Sequence, residues 1–534
     1  MAKYTATAFL MLPTALAASQ ASGLFSSYVS LSIELIGFPQ WAGTRDSRNE
    51  FSNNLIDNLV KAQGSPLVVR VGGNSACVNH RGENGTVSRW PACSPFMSSS
   101  FPIETMEPWL TLSNSDRAIF DASLTTPTAS SCKNADPGAW QCIGASFFDS
   151  YGAFPEGTRY SHNFNLATWN SSGFNTLEAT VPLACKALRG QLEYFEVGNE
   201  PDLYIGSRRA QDYSVAQYVS EWSNTTARFE EYLHEACPDM TGNIKYMFPS
   251  VSSPGSRLRV PDIFNAAGDA AKRVTQVSVH NYMGGATQPG VTLQATLMNH
   301  TAVVLSIGKH VAYAKSIAEY TSADYVIGEH NSLYGGGAAG LSDVFGAALW
   351  GMEFSLYAAS TGVIKRLHFH QSVGSPYAAW SPDAPVQTKP PFYGKLAAGT
   401  FLAGSDKTQV KALSLGSDTD KDVDSGYGAY INGELRRVAV LNLREFDSGS
   451  QSRGSKKYTV KVTPRSSWVV KRLTAPGARD QSNITFNGFA YEAASNGKPV
   501  KVAGRTTDER VKADGKGNVS VTVADSEAVV MIRA

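Results

Sequence analysis

Between about residue 27 and residue 400, eight short apolar runs alternate with stretches of helical periodicity. The runs are Tyr28–Ile33, Leu67–Val71, Tyr160–Leu166, Leu192–Val197, Ile244–Phe248, Val274–Val279, Tyr325–Ile327 and Ile364–Phe369. Amphipathic stretches such as Val215–His234 and Ala302–Tyr320 lie between them, with apolar residues recurring at helical spacing. The runs are apolar on both faces, as strands covered by helices on the outside must be. Eight strand–helix alternations predict an α/β fold, a (β/α)8 TIM barrel.

After about residue 405 the pattern changes. Tyr427–Ile431, Val438–Leu443, Tyr458–Val462, Trp468–Leu473, Val519–Val523 and Ala528–Ile532 are short β-rich runs separated by polar turns. That spacing predicts a C-terminal antiparallel β-sandwich domain. The expected organisation is a barrel over 19–404, with a disulfide-rich insertion at about 74–159, and a sandwich over 405–534. An insertion of that length, rich in Ser, Pro and Gly, is expected to wall one side of the barrel mouth.

Residues 1–18 read as a secretory signal: Lys3, then an apolar stretch from Phe9 to Ala18 that is too short to span a bilayer. Asn-X-Ser/Thr triplets at Asn84, Asn170, Asn224, Asn299, Asn483 and Asn518 fit a secreted, extracellular glycoprotein. The six cysteines are even in number and confined to the first half. In an oxidising compartment they imply three disulfides, expected by proximity as Cys77–Cys93, Cys132–Cys142 and Cys185–Cys237. The 42% hydrophobic content fits a folded chain. The net charge of +1 supplies no field for nucleic acid or an anionic membrane, so neither is an expected partner.

Chemistry concentrates at two glutamates. Tyr194-Phe195-Glu196-Val197-Gly198-Asn199-Glu200-Pro201 and Tyr325-Val326-Ile327-Gly328-Glu329 each run an apolar strand into a Gly and a carboxylate, where a loop is expected to begin. Barrels collect such strand ends at one rim, where their active sites lie. Two carboxyl groups across a pocket suffice to cut a glycosidic bond. Glu200 is then the general acid/base, with a pKa raised by its neighbour, and Glu329 the nucleophile. A nucleophilic role predicts carboxyl groups about 5–5.5 Å apart and retention of configuration. Asn199 is placed to donate to a sugar 2-hydroxyl. Tyr334-Gly335-Gly336-Gly337 offers a phenol and unobstructed backbone N–H groups for an anion. The G-x-G-x-x-G at Gly335–Gly340 lies too far beyond its strand for a dinucleotide site.

These motifs, Gly198-Asn199-Glu200-Pro201 and Gly328-Glu329 followed by Tyr334-Gly335-Gly336-Gly337, resemble those of glycoside hydrolase family 79, the family of fungal and bacterial β-glucuronidases and animal heparanases. The resemblance implies a retaining exo-β-glucuronidase acting on terminal glucuronic acid, with or without a 4-O-methyl group. Its expected partners are glucuronic-acid-containing glycans or small glucuronides. It implies that Tyr334, Gly335 and Gly336 clamp the sugar carboxylate. Tyr282, His370 and Tyr377 match family positions near the nucleophile and sugar, and Glu34 and Arg70 through Asn74 are expected to line the pocket. Glu193 and Glu196 read as structural. No metal or organic cofactor is expected, because double displacement needs none. The chain lacks the basic linker excised from heparanases and long basic stripes, so endo-action on heparan sulfate is the lesser reading. A sugar-binding protein without activity is the alternative of another class; both carboxylates being present argues against it.

Overall fold

The computed structural model describes residues 23–73, 118–129, 142–416, 418–450 and 452–534. Residues 1–18, Cys77, Cys93, Cys132 and most of the 74–159 insertion lie outside them. Among the described residues, eight parallel strands close a ring. They are β1 (Val29–Ile33), β2 (Val68–Val71), β3 (Arg159–Phe164), β4 (Leu192–Val197), β5 (Tyr246–Val251), β6 (Val274–Val279), β7 (Asp324–Tyr334) and β8 (Leu367–Gln371). Each pairs with its chain neighbours, and β8 returns to β1 in the register Val29 to Leu367.

Helices follow the strands where the sequence supplies caps. Asn49 accepts a hydrogen bond from the Ser52 N–H to start the helix Glu50–Gln63, and Gly64, at φ +74°, ends it. Asn170 caps Ser171–Leu188, and a Ser214/Gln217 capping box starts Val215–Ala236. Phe345–Ser360 and Pro390–Phe401 are buried on nearly every face. No helix among the described residues is long and apolar enough to cross a membrane.

Most expected strands sit within three residues of their predicted ends. The exception is β7, whose run Tyr325–Ile327 continues through Glu329 to Tyr334. Glu329 is therefore held inside a strand, and not at the start of a loop. The cause is a second partner: the chain leaving β6 forms a short strand, Asn281–Gly285, that pairs with β7 from His330 to Tyr334. Of the insertion, the stretch 142–158 is described, and it packs as core: Phe147, Tyr151 and Phe154 surround Phe38.

The last barrel helix ends at Phe401 and the first strand of the C-terminal domain is Thr408–Ala412. The antiparallel layers are unequal: a large sheet containing Asp424–Ile431, Glu434–Asn442, Glu527–Arg533 and Ser467–Thr474 is faced by the pair Ser455–Lys461 and Asn518–Ala524. Strand alternation sorts two cores. Val438, Val440, Val529 and Met531 meet Tyr458, Val460, Val521 and Val523 between the layers. Ala439, Leu441, Ala528 and Val530 point the other way and join the barrel's own core. A polar contact pins this junction: Glu353 of the helix Phe345–Ser360 accepts hydrogen bonds from Ser425 and Tyr427 of the sheet and pairs with His300.

Cys185 and Cys237 form the expected disulfide, tying the helix Ser171–Leu188 to the end of Val215–Ala236 across 52 residues of sequence. Replacing both by Ala is expected to cost about 2–4 kcal/mol of stability, read as a lower melting temperature at fixed scan rate with activity retained at 25 °C.

Candidate active site

The C-terminal rim of the ring gathers side chains from six strand ends around one buried cation. Arg70, on β2, is completely buried, and each of its five N–H groups has an acceptor. Nε and Nη2 hold Glu196 of β4 at 2.8 and 3.0 Å. Nη1 holds Glu329 of β7 at 2.8 Å and Ser32 of β1 at 3.0 Å. The second Nη2 hydrogen goes to Asn199 Oδ1. That bond orients the amide and turns its NH2 away from the guanidinium.

Glu329 Oε1 accepts a hydrogen bond of 2.8 Å from the Tyr282 hydroxyl, and Oε2 lies 3.6 Å from His370 Nδ1. Burial alone would raise the Glu329 pKa. The positive charges of His370, of His280 once it protonates at low pH, and of Arg70, together with the Tyr282 hydrogen bond, outweigh it and hold the carboxyl down at about 2. Burial likewise opposes a charge on His370, but Glu329 and Glu34 prevail and raise its pKa. Glu34 lies 3.5 Å from His370 Nε2, and burial pushes its own pKa up.

Glu200 lies three residues past β4 and is buried. Its backbone is left-handed, at φ +46°, a conformation that costs a non-glycine residue about 1–2 kcal/mol. His280, at the end of β6, places Nδ1 2.9 Å from Glu200 Oε1. Burial lowers the His280 pKa to about 4, so the ring is neutral near neutral pH. One oxygen of Glu200, one of Glu329 and a ring nitrogen of His280 lie within 4.8 Å of one another. That triangle is small enough for a cation, but both Glu329 oxygens are already bonded, one by a guanidinium whose charge a metal ion would have to approach. One oxygen of each carboxyl thus comes within 4.8 Å of the other, close enough for both groups to act on one bond.

Two glycine features give the site its room. Gly73, at φ +120°, sits where a Cβ would lie 2.5 Å from His370 Cε1, 3.0 Å from Glu329 Oε2 and 3.2 Å from Glu34 Oε2. After β7, Gly335, Gly336 and Gly337 follow one another at φ +78°, +83° and +85°, a path that side chains rarely take. Tyr334 enters this run with its ring edge-to-face against Tyr282, centroids 6.4 Å apart. Tyr377 is buried, lies the same 6.4 Å from Tyr282, and hydrogen-bonds with it.

Every predicted site residue therefore falls at this rim: Glu34, Asn199, Glu200, Tyr282, Glu329, Tyr334, Gly335, Gly336, His370 and Tyr377. Gly335 is exposed and Gly336 buried. Arg70 was expected only to line the pocket, and instead it organises it. His280, two residues before Tyr282, is not among the predicted site residues, yet it bonds Glu200. Glu196, read as structural, is structural in a particular sense, as the fixed counter-charge of Arg70. The signal that could have found this role is a lone cation within an apolar strand, since buried Arg is rare unless paired.

The ring of parallel strands, the second β-rich domain and two converging carboxylates define a glycoside hydrolase. Residues 426–530 match the Glycosyl hydrolase family 79 C-terminal beta domain. The chain is 37% identical to a β-glucuronidase of Aspergillus niger over 94% of this chain and 90% of that protein. It is 33% identical to a β-glucuronidase of Neurospora crassa over 95% of this chain and 94% of that one. The chain belongs to glycoside hydrolase family 79. Among solved structures it is similar to a 4-O-α-L-rhamnosyl-β-D-glucuronidase from Fusarium oxysporum, with TM-score 0.72 and 21% identity, covering 97% of this chain and 99% of that one.

Arg70→Met removes the main fixed cation beside Glu329. The acid limb of kcat/KM is expected to move up by at least about one pH unit, checked by a pH–rate profile. Glu329's folded pKa lies below the ordinary carboxylate value of about 4.3. Its ionisation thus stabilises the wild-type fold above that value, and the contribution is lost as pH falls towards about 2. The variant should also lose about 3–5 kcal/mol of stability, because two buried carboxylates lose their partner.

Proposed function

We propose that this chain is a retaining exo-β-glucuronidase that removes terminal β-linked glucuronic acid from glycans or small glucuronides. The observation that carries the reading is the Glu200–Glu329 pair, set beside the Tyr334–Gly337 turn. Glu329, ionised and aimed by Arg70 and Tyr282, attacks the anomeric carbon and forms a C–O bond. Glu200 gives its proton to the departing glycosidic oxygen. Water then attacks the same carbon from the face the leaving group vacated, Glu200 takes its proton, and Glu329 leaves as carboxylate. His280, neutral and bonded to Glu200, restrains that carboxyl through both steps. Asn199, with Oδ1 on Arg70, turns its amide donors towards the sugar side, where a 2-hydroxyl contact strengthens as positive charge grows.

The substrate class rests on the clamp. The Tyr334 hydroxyl and the backbone N–H groups of Gly335 and Gly336 offer donors for a carboxylate without a side chain intervening. The β-glucuronidase names of the two fungal relatives support the same assignment. The signal-like residues 1–18, the glycosylation triplets and the Cys185–Cys237 disulfide support secretion into an oxidising extracellular space.

Hydrolysis of p-nitrophenyl β-glucuronide is expected to exceed that of the matching glucoside by at least about a hundredfold, since a lost charge-assisted contact leaves clamp donors unpaired. Comparable rates on both would remove the clamp argument. Glu329→Gln should lower kcat at least about a thousandfold with its fold intact. A variant of ordinary activity would end the nucleophile assignment.

A further inference from the structure

Glu200 is held in its left-handed turn by something other than its own sequence. The β5 tip, Ser250–Ser252, touches the Glu200 loop at every level. The Glu200 N–H donates to the Ser250 carbonyl at 2.9 Å, and Ser250 is itself left-handed at φ +55°. The Ser250 hydroxyl donates to Glu196. The His280 N–H donates to the Val251 carbonyl at 2.8 Å, seating the ring that bonds Glu200. Two residues beyond each left-handed position, the loops are joined again: Asp202 accepts from the Ser252 N–H at 3.0 Å and from the Ser252 hydroxyl. Asp202 is buried, and burial pushes its pKa up, opposed by the hydrogen bonds from Ser252 and Ser256. Its place in the fold is therefore as a hydrogen-bond acceptor for the Ser252 loop.

We propose that the Asp202–Ser252 clasp is the positioning device for the acid/base carboxyl. Between Glu200 and Asp202 stands only Pro201, whose ring fixes φ. The turn is short, closed by the Leu203 N–H on the Glu200 carbonyl at 2.9 Å. Relaxing Glu200 towards an ordinary backbone conformation must swing Asp202 away from Ser252, so the clasp locks the strained residue from its far side. Asp202 touches no reacting atom. It acts through Glu200, and its loss should resemble partial loss of the acid/base while sparing nucleophilic attack.

That distinction is measurable, and it rests on the assignment of Glu200 as acid/base. An activated leaving group departs without a proton; a poor one does not. For Asp202→Ala, kcat/KM on methyl β-glucuronide should fall roughly ten- to a hundredfold, whereas kcat/KM on 2,4-dinitrophenyl β-glucuronide should change less than about threefold. On the activated substrate kcat and KM should fall together, because the glycosyl-enzyme accumulates when water lacks its base. Azide, which needs no base, should attack the anomeric carbon, form a C–N bond, release Glu329 as carboxylate and raise kcat several-fold. Asp202→Asn keeps an acceptor for the Ser252 N–H and should stay near wild type. If Asp202→Ala does not fold, Ser252→Ala removes only the hydroxyl donor and should show the same pattern more weakly. Equal losses on both substrates without azide rescue, or no change at all, would overturn the clasp. Glu200→Ala is the reference. If it too lacks leaving-group discrimination and rescue, the acid/base assignment fails and takes the clasp with it; if it shows both and Asp202→Ala shows neither, the clasp alone is wrong.

Discussion

One guanidinium organises the catalytic rim. Arg70 sits where four strands end and spends all five N–H groups on Glu196, Glu329, Ser32 and Asn199. A buried cation with two carboxylates is tolerable only when every donor and most lone pairs are matched. The planar fork does this with five N–H groups; an ammonium has only three. The same geometry fixes the chemistry. It keeps Glu329 ionised well below neutral pH, and it turns the Asn199 amide. Glu196, buried and bonded to two of the guanidinium nitrogens, balances part of its charge.

The acid/base side is built by different means. Glu200 is held by backbone bonds from β5, by the neutral ring of His280 and by an unusual backbone conformation. One oxygen of each carboxylate thus lies within 4.8 Å of the other, although the two are held by different neighbours. The proposed division of tasks rests on that difference, because environment sets the protonation of each.

The barrel was legible because its strands are short, apolar and regularly spaced, and because caps such as Ser214 and Gly64 mark helix ends. The two candidate glutamates were legible because each stands one or two residues after a Gly, Gly198 or Gly328, that closes such a run. The extended β7 was not, since its continuation past Glu329 depends on pairing with Asn281–Gly285, a neighbour that exists only after the ring closes. Arg70 is a charge in an apolar strand, but its partners come from positions 32, 196, 199 and 329, and no local pattern links them. Nothing local marks Asp202 for the same reason: its partners lie in the loop of the left-handed Ser250 and Ser252, half a hundred residues away.

The alternation of Val438, Ala439, Val440 and Leu441 assigns one row of the C-terminal sheet to its own layer and the other to the barrel. A sheet shared in this way is not an appendage that recombination can trade. Severing it would bare both the helix Phe345–Ser360 and the row of Ala439, Leu441, Ala528 and Val530 to water. The two lobes are thus bound to a common evolutionary fate, inherited, drifting and failing together.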